Sequence, residues 1–397
     1  MKVCAILMSP GKLQRFDAKR LCDANVYNDL RFIQLESVQQ LGDAHVDCII
    51  HKVPEFLIPY ADSKVETLVG RFQDFLKRNP HIVCIDDIED VRRITRRELQ
   101  FKVIEEAFRH SDLCNFLIFV SLCAIEAGCA IVKVTFKVQI LSIFCTCSSQ
   151  IACFPKMFFA LVVKPQAAHG DKNAHGMALV FNEAGLKQIP YPAVAQEFIN
   201  HNGLLFKIFA IGQKTFIYTR SSIRNLIASD NQETILFDSR TVSKDGHSSP
   251  LCDLEQLDKY RRSFLPVERC MKIIEVVGCL NWNREFPIKT FDCKPRVHIC
   301  DDLTTQTTQE VSNSQDRALL DRIAKLIRDA TRLNLFGADV IKCAQSELDG
   351  GSSRTKWAVI DVNVCPSYDK VPFFHQHLEN LVRTKLSLPL ITIPDET

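Results

Sequence analysis

Two carboxylates and an amide near the end of the chain are the residues best suited to chemistry. Asp339 lies in LFGADVIK (Leu335 to Lys342), and Asp361 and Asn363 lie in WAVIDVNV (Trp357 to Val364). Both runs alternate apolar and polar residues and are joined by ELDGGSSRT, which predicts an antiparallel hairpin. The midpoint of Asp339 and Asp361 is Gly350, in the Asp-Gly-Gly tip. Equal arms then set the two carboxylates opposite each other, about 5 Å apart at Cβ. Asn363, two residues on, shares their face. Like charges directly opposed are destabilising. Three hard oxygen donors on one face suit Mg²⁺ bridging phosphate oxygens. A solvated polar face of a hairpin is the other reading of the same pattern.

A second set is basic. Lys164 ends the apolar run LVVK, and Lys207 sits inside LLFKIF. A lysine within an apolar strand is costly unless its ammonium meets an anion, or snorkels to an exposed edge. His169-Gly170 and His175 lie between the two lysines, and Arg220, Ser222, Ser243 and Lys244 follow as hydrogen-bond donors for phosphate. Gln196-Glu197-Phe198 is an extended segment whose backbone could read an adenine edge.

The elements that must carry these residues follow from periodicity. Residues 1 to about 85 alternate strands (Val3–Met8, Cys48–Ile50, Ile82–Ile85) with helices (Ala18–Val26, Ser63–Arg78), which is parallel α/β character. Asp90–His110 reads as one long charged helix. From Leu161 to Arg220 strands dominate: LVVK, MALVF, AVAQEFI, LLFKIFAIG and TFIYTR. Residues 250–315 read as an irregular insertion ending in a polar loop, TTQTTQEVSNSQ, with a mobile composition. Ser314–Thr331 is an amphipathic helix.

Composition narrows the class. The 397 residues are 46% hydrophobic and 24% charged, which excludes a disordered or collagenous chain. At 49 basic against 47 acidic residues, no global field draws in nucleic acid or an anionic membrane, so an anionic ligand needs local basic clusters. Seventeen cysteines, an odd count with no CxxC pair, fit a reducing compartment and argue against structural zinc. The start, MKVCAILMSPGK, reads as a buried strand rather than a signal peptide. A cytoplasmic monomer is expected. The apolar stretch Asn115–Ala160 leaves three readings: a bilayer span over Phe116–Val134 interrupted by Glu126 and Lys133, a buried helix with strands, or non-native coding sequence.

There is no GxxxxGK[ST], no HRD or DFG set and no GxGxxG at a strand–helix junction, which excludes P-loop enzymes, protein kinases and Rossmann dehydrogenases. The runs AHGDKNAHGMALVFNEAGL, QEFINHNGLLFKIF, FGADVI and IDVNVCPSY instead resemble the inositol 1,3,4-trisphosphate 5/6-kinase (inositol-tetrakisphosphate 1-kinase) family of ATP-grasp kinases. The resemblance covers roughly residues 1–110, 154–250 and 316–380, and is weak or absent in 111–153 and 250–315.

The resemblance implies an α/β (α+β) ATP-grasp fold. An N-terminal α/β domain, residues 1–90, would bind the inositol polyphosphate. Residues 91–397 would form the ATP-grasp domain, with 111–153 atypical and 250–315 inserted. It implies ATP and Mg²⁺ as cofactors and transfer to inositol 1,3,4-trisphosphate at the 5 or 6 hydroxyl, or to inositol 3,4,5,6-tetrakisphosphate at the 1 hydroxyl. By resemblance Lys12, Lys52, His175, Asn363 and Ser367 contact the acceptor. Arg96 contacts nucleotide, though Arg97 beside it competes for the register. Lys164 and Lys207 hold phosphates, with Lys207 also near the acceptor. Gln196, Glu197 and Phe198 clamp adenine and ribose, Ser222 and Ser243 contact nucleotide, and Asp339, Asp361 and Asn363 are magnesium ligands. Catalysis is expected to rest on Lys207, Asp361 and Asn363, with closure of the N-terminal domain excluding water.

Three departures stand out. Ser367 replaces the family's glycine after Asn363-Val364-Cys365-Pro366, where glycine would permit φ > 0 and close approach to the sugar phosphate. The HG…H loop is one residue longer, through Asp171-Lys172-Asn173, and residues 111–153 replace the expected start of the central subdomain. An impaired inositol-phosphate- or nucleotide-binding homologue and a carboxylate–amine ligase on the same scaffold are the competing readings.

Overall fold

The computed structural model describes residues 1–23, 29–35, 37–42, 45–52, 63–114, 122–126, 129–131, 160–165, 175–186, 188–189, 193–226, 231–242, 251–252, 314–344 and 356–394. The first sheet is parallel, in the order β2-β1-β3-β4: β1 (Lys2–Leu7), β2 (Leu30–Leu35), β3 (Cys48–His51) and β4 (Val83–Ile85). Helices α1 (Pro10–Arg15), α2 (Ala18–Asp23) and α3 (Ser63–Arg78) connect its strands. Alternate side chains of β1 enter different cores, Ala5 and Leu7 with Ile49 and Phe72, and Cys4 and Ile6 with Ile50 and Phe16. Apolar layers on both faces are why its sequence reads as one continuous hydrophobic run.

The expected long helix over 90–110 is two. α4 (Ile88–Thr95) starts at Asp87, whose carboxylate accepts from the Glu89 and Asp90 amides, and it stops where Arg96 is extended (φ −97°, ψ 128°). α5 (Arg97–Arg109) then restarts. The break sends Arg97 and Gln100 inwards, both at most 3% exposed, while Arg96 stays on the surface.

Two antiparallel sheets follow. One has six strands in the order β12-β8-β7-β9-β5-β6: β5 (Leu122–Glu126), β6 (Cys129–Ile131), β7 (Leu161–Pro165), β8 (Gly176–Val180), β9 (Ala193–Glu197) and β12 (Ile235–Asp238), with short helices α6 (Glu183–Leu186) and α7 (Ser239–Val242). The other has four, in the order β11-β10-β13-β14: β10 (Leu204–Ile211), β11 (Lys214–Ser221), β13 (Leu335–Lys342) and β14 (Trp357–Val364). It packs with α8 (Ser314–Thr331) and α9 (Phe374–Lys385).

Within the apolar stretch, β5 and β6 extend the six-stranded sheet. The rest of that stretch, and nearly all of the insertion at 250–315 with its polar loop, lie outside the described residues. Among the described residues no helix is long and apolar enough to cross a membrane.

The six-stranded sheet has cores of its own on its two faces, one around Leu161, Val163 and Ala195, the other around Leu179, Phe181 and Ile223. The parallel sheet does not stand alone in this way. Cys4, Ile6 and Phe16 belong to the same buried cluster as Phe206, Phe336 and Leu378 of the four-stranded sheet and α9. Polar ties reinforce that joint. Asp86 accepts from the backbone amides of Asn334 (2.7 Å) and Leu335 (3.0 Å), and Arg383 forks onto both carboxylate oxygens of Asp29 at 2.9 Å. One face of the parallel sheet thus shares its core with the four-stranded sheet, the other face has a core of its own, and both cores of the six-stranded sheet are separate.

Candidate active site

The two antiparallel sheets face each other across a cleft of about 940 Å³. Its floor is the last hairpin. In the register of β13 and β14, Asp339 stands directly opposite Asp361 and Gly337 opposite Asn363. On the far side of Asp339 the pairing shifts, with Val340 opposite Val359. Ile360 is thus the extra residue of a bulge, and the Lys164 ammonium, reaching over from β7, donates to its carbonyl at 3.0 Å.

Each carboxylate has its own cation. Lys207 pairs Asp339 at 2.7 Å from the neighbouring strand β10, where it stands opposite Asp339 in register. Arg97 pairs Asp361 at 2.7 Å from the start of α5 and donates its Nε–H to the Pro165 carbonyl at 3.1 Å. One turn along, the Gln100 side chain donates to the Val362 carbonyl and accepts the Val362 amide at 3.2 Å. A side-chain amide thus completes the edge of β14 and fixes the strand that carries Asp361 and Asn363. The Asn363 amide donates to Asp361 at 2.9 Å.

This arrangement sets the charges. Burial alone would raise the Asp361 carboxyl, but Arg97, Lys164, the Asn363 amide and Lys207 together hold it well below the usual carboxylate range. Burial pushes the Lys164 ammonium down to about 8, against the pull of Asp361. Asp361 is therefore an ionised, weakly basic group, fitted to hold a cation rather than to take a proton. Asp339, Asp361 and Asn363 offer hard oxygens of the kind Mg²⁺ takes, and the basic groups around them suit phosphates.

One part of the cleft is built from β9 and the loop after it. Gln196, Glu197, Phe198 and Ile199 line the cleft. Gln196 is 3% exposed, yet among the described residues its Oε1 has no hydrogen-bond partner, a buried acceptor that an amine donor would satisfy. The Ile199-Asn200-His201-Asn202 run is locked to the segment after β11. The Asn200 carbonyl-side oxygen accepts the Leu226 amide at 2.8 Å, and its Nδ2 donates back to the Leu226 carbonyl at 3.0 Å. Asn225 accepts the His201 (3.0 Å) and Asn202 (2.7 Å) amides and donates to the Asn202 side chain. The asparagines are thus cross-links.

Most expected site residues come together. Lys52, Lys164, His175, Gln196, Glu197, Phe198, Lys207, Ser222, Asp339, Asp361, Asn363 and Ser367 all line the cleft. His175 sits at its mouth, with Nδ1 3.2 Å from the Ser239 hydroxyl; burial and the nearby Arg240 lower its pKa. Ser243 and His169-Gly170 lie outside the described residues. Two expectations need correction. Arg96 is on the surface and outside the cleft lining, whereas Arg97 lines the cleft, because the extended cap residue rotates the helix start. Lys12 is 1% exposed, and its ammonium donates to the Pro366 carbonyl at 3.0 Å. It acts as a strut beneath the Ser367 loop, and Arg15 on the same short helix lines the cleft instead.

Ser367 does not need the backbone freedom of glycine. Positive φ falls on Cys365 (41°), not on Ser367. A tight backbone contact lies at Gly337, where a Cβ would lie 3.0 Å from the Pro366 ring. His201, within the expected Gln196–Lys207 run, also lines the cleft, and sequence reading missed Ser239, Arg240 and Lys370, which do so too. Their residue types and spacing carry no signal; the fold alone gathers them.

The family model for the inositol 1,3,4-trisphosphate 5/6-kinase ATP-grasp domain matches residues 137–275 and 290–384. It therefore reaches into both the apolar stretch and the insertion, which the sequence runs alone had left out. The chain is 26% identical over 388 residues to inositol-tetrakisphosphate 1-kinase of Xenopus laevis, covering 96% of this chain and 78% of that one. It is 25% identical over 380 residues to the Danio rerio protein of the same name, covering 94% and 76%. Among solved structures, D-alanine–D-alanine ligase from Bacillus anthracis aligns with a TM-score of 0.47 at 12% identity, covering 98% of this chain and 96% of that one.

Proposed function

The chain belongs to the inositol 1,3,4-trisphosphate 5/6-kinase ATP-grasp family, and from that membership we propose an ATP- and Mg²⁺-dependent inositol polyphosphate kinase. Its acceptors are inositol 1,3,4-trisphosphate, at the 5 or 6 hydroxyl, and inositol 3,4,5,6-tetrakisphosphate, at the 1 hydroxyl. The observation that carries the reading is the opposed pair Asp339 and Asp361, ringed by Lys207, Arg97 and Lys164 in one cleft. Such a group is built to spread the charge of a transferring phosphoryl.

Asp339, Asp361 and Asn363 are the residues that would hold the metal, which when bound supplies Lewis-acid neutralisation of phosphate charge. Lys164 and Lys207 reach the phosphates from opposite sheets, so the γ-phosphoryl would lie between preset positive charges. Gln196, Glu197 and Phe198 take the base. Lys52 and Arg15, with Ser367 and Lys370, line the cleft on the side of the parallel sheet, where a polyanionic acceptor would be steered by charge. In the transfer, an acceptor hydroxyl oxygen bonds to the γ-phosphorus, the bond to the β-phosphate bridging oxygen breaks, and ADP and the hydroxyl proton are released. Positioning supplies most of the catalysis, and Asp361 is too weakly basic to serve as the base.

The test is purified protein with γ-labelled ATP, Mg²⁺ and a panel of inositol tris- and tetrakisphosphates, with chelator and Asp361→Ala controls. Label should move to a more phosphorylated inositol and be lost in both controls. A folded protein that binds these compounds yet transfers to none would be a binding homologue instead.

A further inference from the structure

His201 and Ser222 form a hydrogen-bond chain whose direction is fixed by its far end. The His201 Nδ1 lies 2.7 Å from the Ile199 carbonyl oxygen, which can only accept, so Nδ1 carries the proton. Its Nε2 lies 2.8 Å from the Ser222 hydroxyl. The ring is 5% exposed, and burial lowers its pKa, so it is neutral. In a neutral ring with Nδ1 protonated, Nε2 has only a lone pair to offer. The Ser222 hydroxyl must therefore donate to His201, and only its own lone pairs remain for the cleft that both residues line.

The geometry is held tightly. The Ser222 amide donates to the Gly203 carbonyl at 2.8 Å, the His201 amide is tied to Asn225, and the imidazole packs against Phe198 with centroids 5.7 Å apart. A serine with its proton committed cannot donate to a phosphate oxygen, which is what its type alone suggested. It can accept. At neutral pH the donors on ATP are the ribose hydroxyls and the base amine, and the open acceptor of Gln196 is available for the amine.

We propose that His201 is a positioning residue that commits Ser222 to accept a hydrogen bond from a ribose hydroxyl, making the cleft selective for ribonucleotides. The inference rests on the nucleotide reading above but not on the identity of the acceptor.

It is tested by binding alone, with the Mg²⁺ salts of ATP, 2′-deoxy-ATP and 3′-deoxy-ATP titrated into the full chain. Wild type should bind one deoxynucleotide about tenfold more weakly than ATP. Ser222→Ala should lose that preference by weakening ATP to the level of the deoxy analogue, without changing the analogue's own affinity. His201→Phe, which keeps the packing but removes both hydrogen bonds, should also flatten the ratio, because the freed hydroxyl no longer faces one way. His201→Gln, with one donor and one acceptor, should restore part of it. Thermal unfolding confirms that each variant folds. If wild type binds all three alike, or if His201→Phe weakens all three equally, the role is structural only and the proposal is overturned. If folded wild type binds none of the three, the nucleotide reading itself fails and the proposal with it.

Discussion

Asp361 faces Asp339 across the last two strands, and each takes its counter-charge from a different element: Asp361 from Arg97 on α5, Asp339 from Lys207 on β10. Two like charges that would repel are thereby each held beside a cation. The two pairs differ in burial, with Arg97 4% exposed against 13% for Lys207. The consequences of breaking them should differ as well.

Asp361→Asn leaves Arg97 and Lys164 without their anion in a buried setting, which should cost on the order of 2–4 kcal/mol. Asp339→Asn uncovers only the more accessible Lys207 and should cost about 1 kcal/mol or less. Both should slow phosphoryl transfer by at least ~100-fold. Thermal unfolding beside single-turnover rates separates the effects. An Asp361→Asn enzyme that transfers at the wild-type rate would falsify the proposed metal-holding role.

The adjacent arginines give a sharper contrast. Arg96→Ala, at an exposed cap, should change kcat and the KM for ATP by less than about twofold. Arg97→Ala should lower kcat/KM by ~100-fold or more, since it removes the partner of Asp361 and the contact to Pro165. Steady-state kinetics on both variants decides, and equal effects would mean that the helix break does not matter.

His51 links stability to pH. Burial pushes its pKa down to about 4, outweighing the 2.6 Å bond its ring nitrogen makes to the Asp86 carbonyl. An unfolded histidine titrates near 6.5. Between about 6.5 and 4 the unfolded chain holds a proton that the folded chain does not. Stability should therefore fall by roughly 3 kcal/mol as pH drops through that window, and the histidine should add no slope outside it. Urea unfolding at a series of pH values should show a flatter dependence for His51→Gln.

Lys370 follows Ser367 in a turn held from below, since Tyr368 donates its hydroxyl to the Ala210 carbonyl at 3.0 Å and stacks on Phe374. Lys370→Ala should raise the KM for the acceptor about fivefold, more for tetrakis- than for trisphosphates, and leave the KM for ATP unchanged. Added salt should narrow the gap between variant and wild type. A shift in the KM for ATP instead would place Lys370 at the other end of the cleft.

Some of this was legible from the residues alone. The assumption of equal hairpin arms put Asp339 opposite Asp361, and that pair is in register, although on the tip side the pairing is one residue out. The runs Leu335–Lys342 and Trp357–Val364 form strands over those same residues. The arithmetic did not show the bulge at Ile360, which gives Lys164 its carbonyl, because an extra residue in one strand is set by tertiary demand. Arg96 and Arg97 could not be told apart by pattern, since one extended cap residue decides which of them turns inwards. Lys12 shows the limit of residue type. By type it would be read as solvated and by family resemblance as an acceptor contact, but only packing reveals that it is buried and that its ammonium donates to Pro366, which lies 354 positions away.

That distance bears on how the protein is made. Asp29 is clamped by Arg383 at the same separation of 354 residues, and the core beneath the first sheet is completed by Phe336, Leu378 and Val382. At roughly 5–20 residues per second, a ribosome needs roughly 20–70 s to deliver those partners. The first-synthesised sheet must wait that long with one apolar face uncovered.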